Sequence, residues 1–189
     1  MPLPPGQLSR ARQGDRRALA AVVEHYQHRV FAVCTALAGA DAEDCAQDAL
    51  IKVLAGLPRF DPDATGSLAA WVMTITRRVC IDRARSARVT GRVDLALDDL
   101  AADAGPTADH ARDALVREAV SALPDDQRAA VALRVWGELS YDEIAALEAV
   151  PIGTVRSRLA RARDALRIRL APLAVDPTAP TQELRDDAR

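Results

Sequence analysis

The chain has 189 residues, 49% of them apolar, only 3% aromatic and 28% charged, with a formal net charge of −2. That length suits one medium domain or two small ones, with cores built from Ala, Val, Leu and Ile. Three scattered cysteines with no CxxC exclude a disulfide scaffold. The absence of a signal core and of any run of about 18 apolar residues leads us to expect a soluble cytoplasmic protein without membrane insertion.

Strand signals are nearly absent and apolar residues recur at helical spacing almost throughout, which predicts an all-α fold. After the Pro-rich start, Gly14-Asp15 reads as a helix start. A helix is predicted to run to about Ala38, with Leu19, Val22, Val23, Tyr26, Val30, Val33 and Leu37 apolar and Gly39 ending it. Asp41 is expected to cap the next helix, whose apolar stripe is Cys45, Ala49, Leu50, Val53, Leu54 and Leu57, and Pro58 stops it. Opposite that stripe, Asp41, Glu43, Asp44, Gln47 and Asp48 form an acidic-polar face. Such a face is either simply solvated or docks on a basic partner.

Arg59 to Gly66 reads as a loop by its Pro, Asp and Gly content. Ser67 can cap a further helix carrying Leu68, Trp71, Val72, Ile75 and Val79, which turns arginine-rich toward Arg85. Between Arg77 and Arg92 six arginines stand against one acid, Asp82. Positive charge beside a polar loop suits single-stranded or distorted nucleic acid. Aromatic partners for bases are few: Phe60 could stack or be core, and Trp71 reads as core. Residues 87–109 lack periodicity, and Asp94 to Asp113 hold six aspartates against Arg112 alone. This composition predicts a flexible acidic linker.

A second helical unit follows. Leu115, Ala119 and Leu123 share a face, and Pro124-Asp125-Asp126 opens a helix that ends near Gly137. Ser140-Tyr141-Asp142-Glu143 is a capping box ahead of a short helix to Glu148. A turn at Ala149-Val150-Pro151 leads to a last long helix from about Gly153 to Leu170, and the tail from Pro172 is polar. This is helix-turn-helix spacing. Val155, Leu159, Ala162 and Leu166 point to the core. Arg156, Ser157, Arg158, Arg161, Arg163 and Arg167 are left for solvent, a pattern that can enter a major groove. His25, His28 and His110 lack paired carboxylates or a nucleophile motif, so no enzyme, metal or cofactor is expected. Cys34, Cys45 and Cys80 read as small buried core residues.

DAEDCAQDALIK from Asp41, SLAAWVMTITRRVCIDRAR from Ser67, LPDDQR from Leu123 and LSYDEIAALEAVPIGTVRSRLARARDAL from Leu139 together resemble the extracytoplasmic-function (ECF) sigma factors of the sigma-70 family. The resemblance implies a sigma region 2 bundle at 8–86, the linker at 87–109, a sigma region 4 helix-turn-helix domain at 110–171 and a tail at 172–189. It implies core RNA polymerase (its β′ clamp helices and β flap), promoter DNA and an anti-sigma factor as partners. Carried over residue by residue, Asp41, Glu43, Asp44, Gln47 and Asp48 would dock on polymerase. Arg59, Phe60, Asp61, Thr65, Arg77, Arg78, Arg83 and Arg85 would meet the −10 element. Thr154, Arg156, Ser157, Arg158, Arg161 and Arg163 would meet the −35 element. The chain departs from the family pattern at Leu68, Arg78, Glu148 and Ala149, where Phe, Asn, an apolar residue and Gly are common. Alanine resists positive φ, so the turn at Ala149 is expected either to differ slightly or to be strained. A stand-alone helix-turn-helix regulator is the alternative, and it leaves 41–85 without work.

Overall fold

The side chain of Asp15 accepts a hydrogen bond from the Ala18 N–H at 3.0 Å, and this cap starts the first long helix. A computed structural model describes residue 3, residues 6–89 and residues 108–171 of the chain. The expected linker at 87–109 and the tail at 172–189 lie largely outside these residues. Among the described residues there are nine α-helices and no strand. In chain order they are α1 (Gln7–Arg12), α2 (Arg16–Ala38), α3 (Ala42–Gly56), α4 (Pro62–Thr65), α5 (Leu68–Val89), α6 (Ala108–Ser121), α7 (Asp125–Val135), α8 (Tyr141–Glu148) and α9 (Ile152–Arg169).

Helices α2, α3 and α5 pack on one another to form the first core. Val22, Val30 and Val33 of α2 meet Ala49 and Val53 of α3 and Val72, Met73 and Val79 of α5, all buried. Burying each such side chain contributes about 1.5–3 kcal/mol before the entropy of ordering is subtracted. Thr76, buried among them, donates its hydroxyl to the Val72 carbonyl at 2.9 Å and so enters the core without an orphaned polar group. Cys34, Cys45 and Cys80 are free and buried at the same junction, with Cys34 and Cys80 sulfurs 3.8 Å apart. Burial pushes the Cys45 thiol up to about 11, which suits a small core residue.

The structure differs from the sequence pattern at several local points. Helix α1 has no counterpart in that pattern; it follows Gly6, held at φ 79°, and Arg10 pairs with Asp15 at 2.7 Å. Asp41 stands at the N-cap of α3, but its side chain makes no capping bond because a 3-10 turn, Gly39–Asp41, runs straight into the helix. The predicted loop 59–66 holds the short helix α4, whose start is fixed by the Asp63 N–H donating to the Asp61 carboxylate. Ser67 does cap α5, accepting from the Ala70 N–H at 3.1 Å.

The second core is built from Ala129, Ala130 and Leu133 of α7, Ile144 of α8 and Val155, Leu159 and Ala162 of α9. The capping box is present: the Glu143 N–H donates to the Ser140 hydroxyl, and the Glu143 carboxylate accepts from the Ser140 N–H at 2.8 Å. Ala149 ends α8 at φ 53°, ψ 45°, the left-handed conformation in which its Cβ crowds the backbone. Ala149→Gly is therefore expected to stabilise the protein by about 1 kcal/mol, read as a raised Tm in a circular-dichroism melt. An unchanged or lowered Tm would show that the turn is not strained.

The two cores face each other across a seam. Helix α2 lies against α7, and α5 against α8. Arg29 of α2 pairs with Glu138 at 3.2 Å and donates to the Gly137 carbonyl. Ser67 donates to the Glu143 carboxylate, and Arg77 pairs with Glu148 at 2.9 Å.

Candidate functional site

Helix α3 buries Ala42, Cys45, Ala46, Ala49 and Val53 and leaves Glu43, Asp44, Gln47 and Asp48 exposed. The spacing i, i+4 stacks Glu43 over Gln47 and Asp44 over Asp48, so the predicted acidic residues form one continuous ridge, with Asp41 half-buried at its N-terminal end. The ridge has a further member that its charge pattern does not reveal. Ile51 is 57% exposed and extends it one turn beyond Gln47 and Asp48. An exposed branched apolar residue at the end of a charged ridge can be desolvated by a partner, which is what makes a contact energetically important. The one signal for it in the sequence is its place outside the buried stripe.

Successive residues of a helix turn by about 100°. On that geometry Arg77, Arg78 and Arg85 of α5 share one flank. Arg83 is turned about 120° away from Arg77 toward α3. Its guanidinium donates to the Asp44 carboxylate at 3.0 Å, so it braces the acidic ridge and does not join the other three arginines. Arg59 is exposed at the end of the 3-10 turn Leu57–Arg59. Asp61 is exposed at the start of α4, and Thr65 closes that helix. Phe60 is 1% exposed and packs against Trp71 with ring centroids 5.1 Å apart. This corrects the assignment of Phe60 to DNA: its ring is committed to the core beside Trp71 and is not available to stack on a base.

In the helix-turn-helix, α8 precedes the turn and α9 follows it. Arg156, Arg161 and Arg163 are exposed; Thr154, Ser157 and Arg158 are half-buried. The helix splits them into two flanks, because Arg161 and Arg163 lie about 200° apart. Thr154, Ser157 and Arg161 share one flank, and the Ser157 hydroxyl donates to the Thr154 carbonyl at 2.9 Å. Arg156 and Arg163 share the other. Arg158 is not presented like its neighbours: its Nε donates to the Asp126 carboxylate of α7 at 3.0 Å, tying α9 to α7. Arg163 also borders an apolar groove of about 570 Å³ between α7 and α9, walled by Val131, Val135, Leu159 and Leu166. No sequence pattern signals this groove, since it exists only where two helices diverge.

The seam has its own electrostatics. The Arg77 and Glu148 side chains are 20% and 14% exposed, so the pair is largely shielded from solvent. Burial alone would push the Glu143 carboxyl up. Hydrogen bonds from the Ser67 hydroxyl and from the Ser140 N–H and hydroxyl outweigh that and hold it below its ordinary range. For His25, burial and the nearby Arg29 charge depress the imidazole below its usual value. Among the described residues no group of three or more His, Cys, Asp or Glu side chains could hold a metal ion, and no helix is long and apolar enough to cross a membrane.

Residues 22–90 match the family described as Sigma-70 region 2, and residues 113–166 match Sigma-70, region 4. The chain is 34% identical over 185 residues to the RNA polymerase sigma-H factor of Pseudomonas aeruginosa, spanning 88% of this chain and 93% of that protein. It is 32% identical over 157 residues to the ECF RNA polymerase sigma factor RpoE of Cereibacter sphaeroides, spanning 81% and 86%. Among solved structures, the sigma factor RpoE of Bartonella quintana in complex with the anti-sigma factor NepR superimposes with a TM-score of 0.64 at 28% identity, over 83% of this chain and 97% of that one. CnrH, solved with the cytosolic domain of CnrY, has the same fold at a TM-score of 0.64 and 21% identity.

Proposed function

This chain belongs to the ECF sigma factors of the sigma-70 family, and on that premise we propose how its own residues direct core RNA polymerase to promoters. Residues 8–86 act as region 2 and residues 110–171 as region 4, with 87–109 as the connection between them. Asp41, Glu43, Asp44, Gln47 and Asp48 dock on the β′ clamp helices, with Ile51 as the apolar contact at the end of the ridge. Arg83 positions Asp44 rather than touching DNA. Arg77, Arg78 and Arg85 line the −10 DNA, together with Arg59, Asp61 and Thr65. Thr154, Ser157 and Arg161 face the −35 groove, and Arg156 and Arg163 reach the phosphates. The protein acts as an initiation factor in the cytoplasm rather than as a catalyst.

The observation that carries this reading is the coexistence in one chain of an exposed acidic ridge on α3, which would repel DNA, with separate cationic flanks on α5 and α9. A stand-alone helix-turn-helix regulator has no use for such a ridge. The Bartonella relative was solved bound to an anti-sigma factor; we assign the same kind of control to this chain. Run-off transcription with purified core polymerase tests the whole. Core alone is expected to give no specific transcript, and added protein to give discrete start sites. A protein that binds DNA yet never supports start-site selection would refute it.

A further inference from the structure

The groove of about 570 Å³ between α7 and α9 has an apolar floor of Val131, Leu159 and Leu166 and a cationic rim of Arg134, Arg163 and Arg167. Among the described residues no carboxylate lines it. Val135, at its edge, is 58% exposed. Arg163 and Arg167 stand at i, i+4, where like charges repel. An apolar floor open to water beside clustered positive charge calls for a cover that is apolar first and acidic next.

The chain carries such a segment directly after α9. Leu170 ends that helix and lines the groove, and Pro172 has no N–H with which to extend it. Leu173 and Val175 then stand two residues apart, which puts both on one side of an extended chain, and Asp176 follows. We infer that residues 173–176 fold back along α9 and dock in this groove as a tethered ligand, with Leu173 and Val175 on the floor and Asp176 on the arginine rim. The lengths agree. Arg167 and Arg163 lie three and seven residues before Leu170, roughly 4 and 10 Å down the helix. Four extended steps from Pro172 to Asp176 span about 13 Å, so a returning chain brings the acid level with them. The charges agree too. An acid beside a helix C-terminus is disfavoured, and the return carries Asp176 away from that end to cationic partners. Residues 172–189 hold four acids against two arginines, opposite in sign to the rim. A short tether supplies an effective concentration near the millimolar range, so two apolar contacts and an ion pair are enough to fill the groove. Any outside partner of the α7–α9 groove must first displace the tail. The inference does not depend on the assignment of α5 and α9 to promoter DNA.

The test uses the full chain. Leu173→Ser with Val175→Ser removes the apolar anchors, and Leu184→Ser makes a similar change farther along the tail. Amide hydrogen exchange is followed at the groove, in α7 around Val135 and in α9 around Leu166. The double variant is expected to exchange there about tenfold faster than wild type, the protection lost when a groove that is nine-tenths filled is emptied. Leu184→Ser should exchange like wild type. A fluorescein-labelled peptide of residues 172–189 supplies a second readout. It should bind the double variant about tenfold tighter than it binds wild type, whose groove is already taken. Arg167→Glu, at a side chain 79% exposed, should weaken the peptide when added to the double variant. Equal exchange in wild type and the double variant overturns the inference. Equal peptide affinity for the two, or no binding to either, also overturns it. Sedimentation that shows wild type pairing through this groove would give it to a second copy and overturn the assignment to the tail.

Discussion

Reversing charge on the α3 ridge, Asp48→Arg alone or with Asp44→Arg, is expected to lower affinity for core RNA polymerase at least about a hundredfold, since like charges forced together across an interface cost several kcal/mol. Competition binding with labelled wild-type protein would measure it. Asp48→Arg is the cleaner substitution. Asp44 holds Arg83 at 3.0 Å, so an arginine at 44 also repels a neighbour within its own domain. Both positions are exposed and bury no apolar contact, so the thermal melt of the single variant should move little. Wild-type affinity in Asp48→Arg would mean that the ridge is merely solvated. Ile51→Ala should weaken binding without changing its salt dependence, which separates apolar from electrostatic work on one helix.

The second large effect separates two arginines that look equivalent in sequence. Arg161→Ala is expected to weaken duplex −35 binding about tenfold and to reduce the slope of log K against log salt by about 0.9, the counterion release of one phosphate contact. Arg158→Ala should act differently. Its guanidinium is bonded to Asp126 across the α7–α9 interface. Removing it should cost about 1 kcal/mol of stability and leave the salt slope nearly unchanged. Titrations at several salt concentrations, paired with denaturant melts, would settle it. A salt slope that falls equally for both would show that Arg158 leaves Asp126 when DNA arrives.

Much of this architecture is written in local spacing. The long helices follow from apolar residues at 3-4 intervals, and their ends from Asp15, Gly39, Ser67 and the Ser140–Glu143 box, because caps are satisfied within one turn of chain. The two shortest helices are not legible in this way. The six residues of α1 and the four of α4 sit among Pro, Gly and Asp, where propensity says loop and only tertiary packing tips the balance. The angular position of a residue on its helix is legible, since the 100° step alone sorts Arg83 and Ile51 from their neighbours. Partnership across the seam is not. Glu148 reads as a misplaced charge at an apolar position, and its meaning lies in Arg77, brought alongside only when two domains meet. Phe60 is ambiguous for the same reason, since nothing in its neighbours says that Trp71 folds over it.

Glu143 has a wider consequence. Its carboxylate closes the start of α8 through Ser140, while the hydroxyl it grips on the other side, Ser67, closes the start of α5. Each domain keeps its own half of this clasp when they part: Ser140 and Glu143 still serve one another, and Ser67 still serves Ala70. At this clasp, separation would trade one hydrogen bond, Ser67 to Glu143, for water and unravel no turn. What holds the seam beyond this contact is the Arg29–Glu138 and Arg77–Glu148 ion pairs and the packing of α2 on α7.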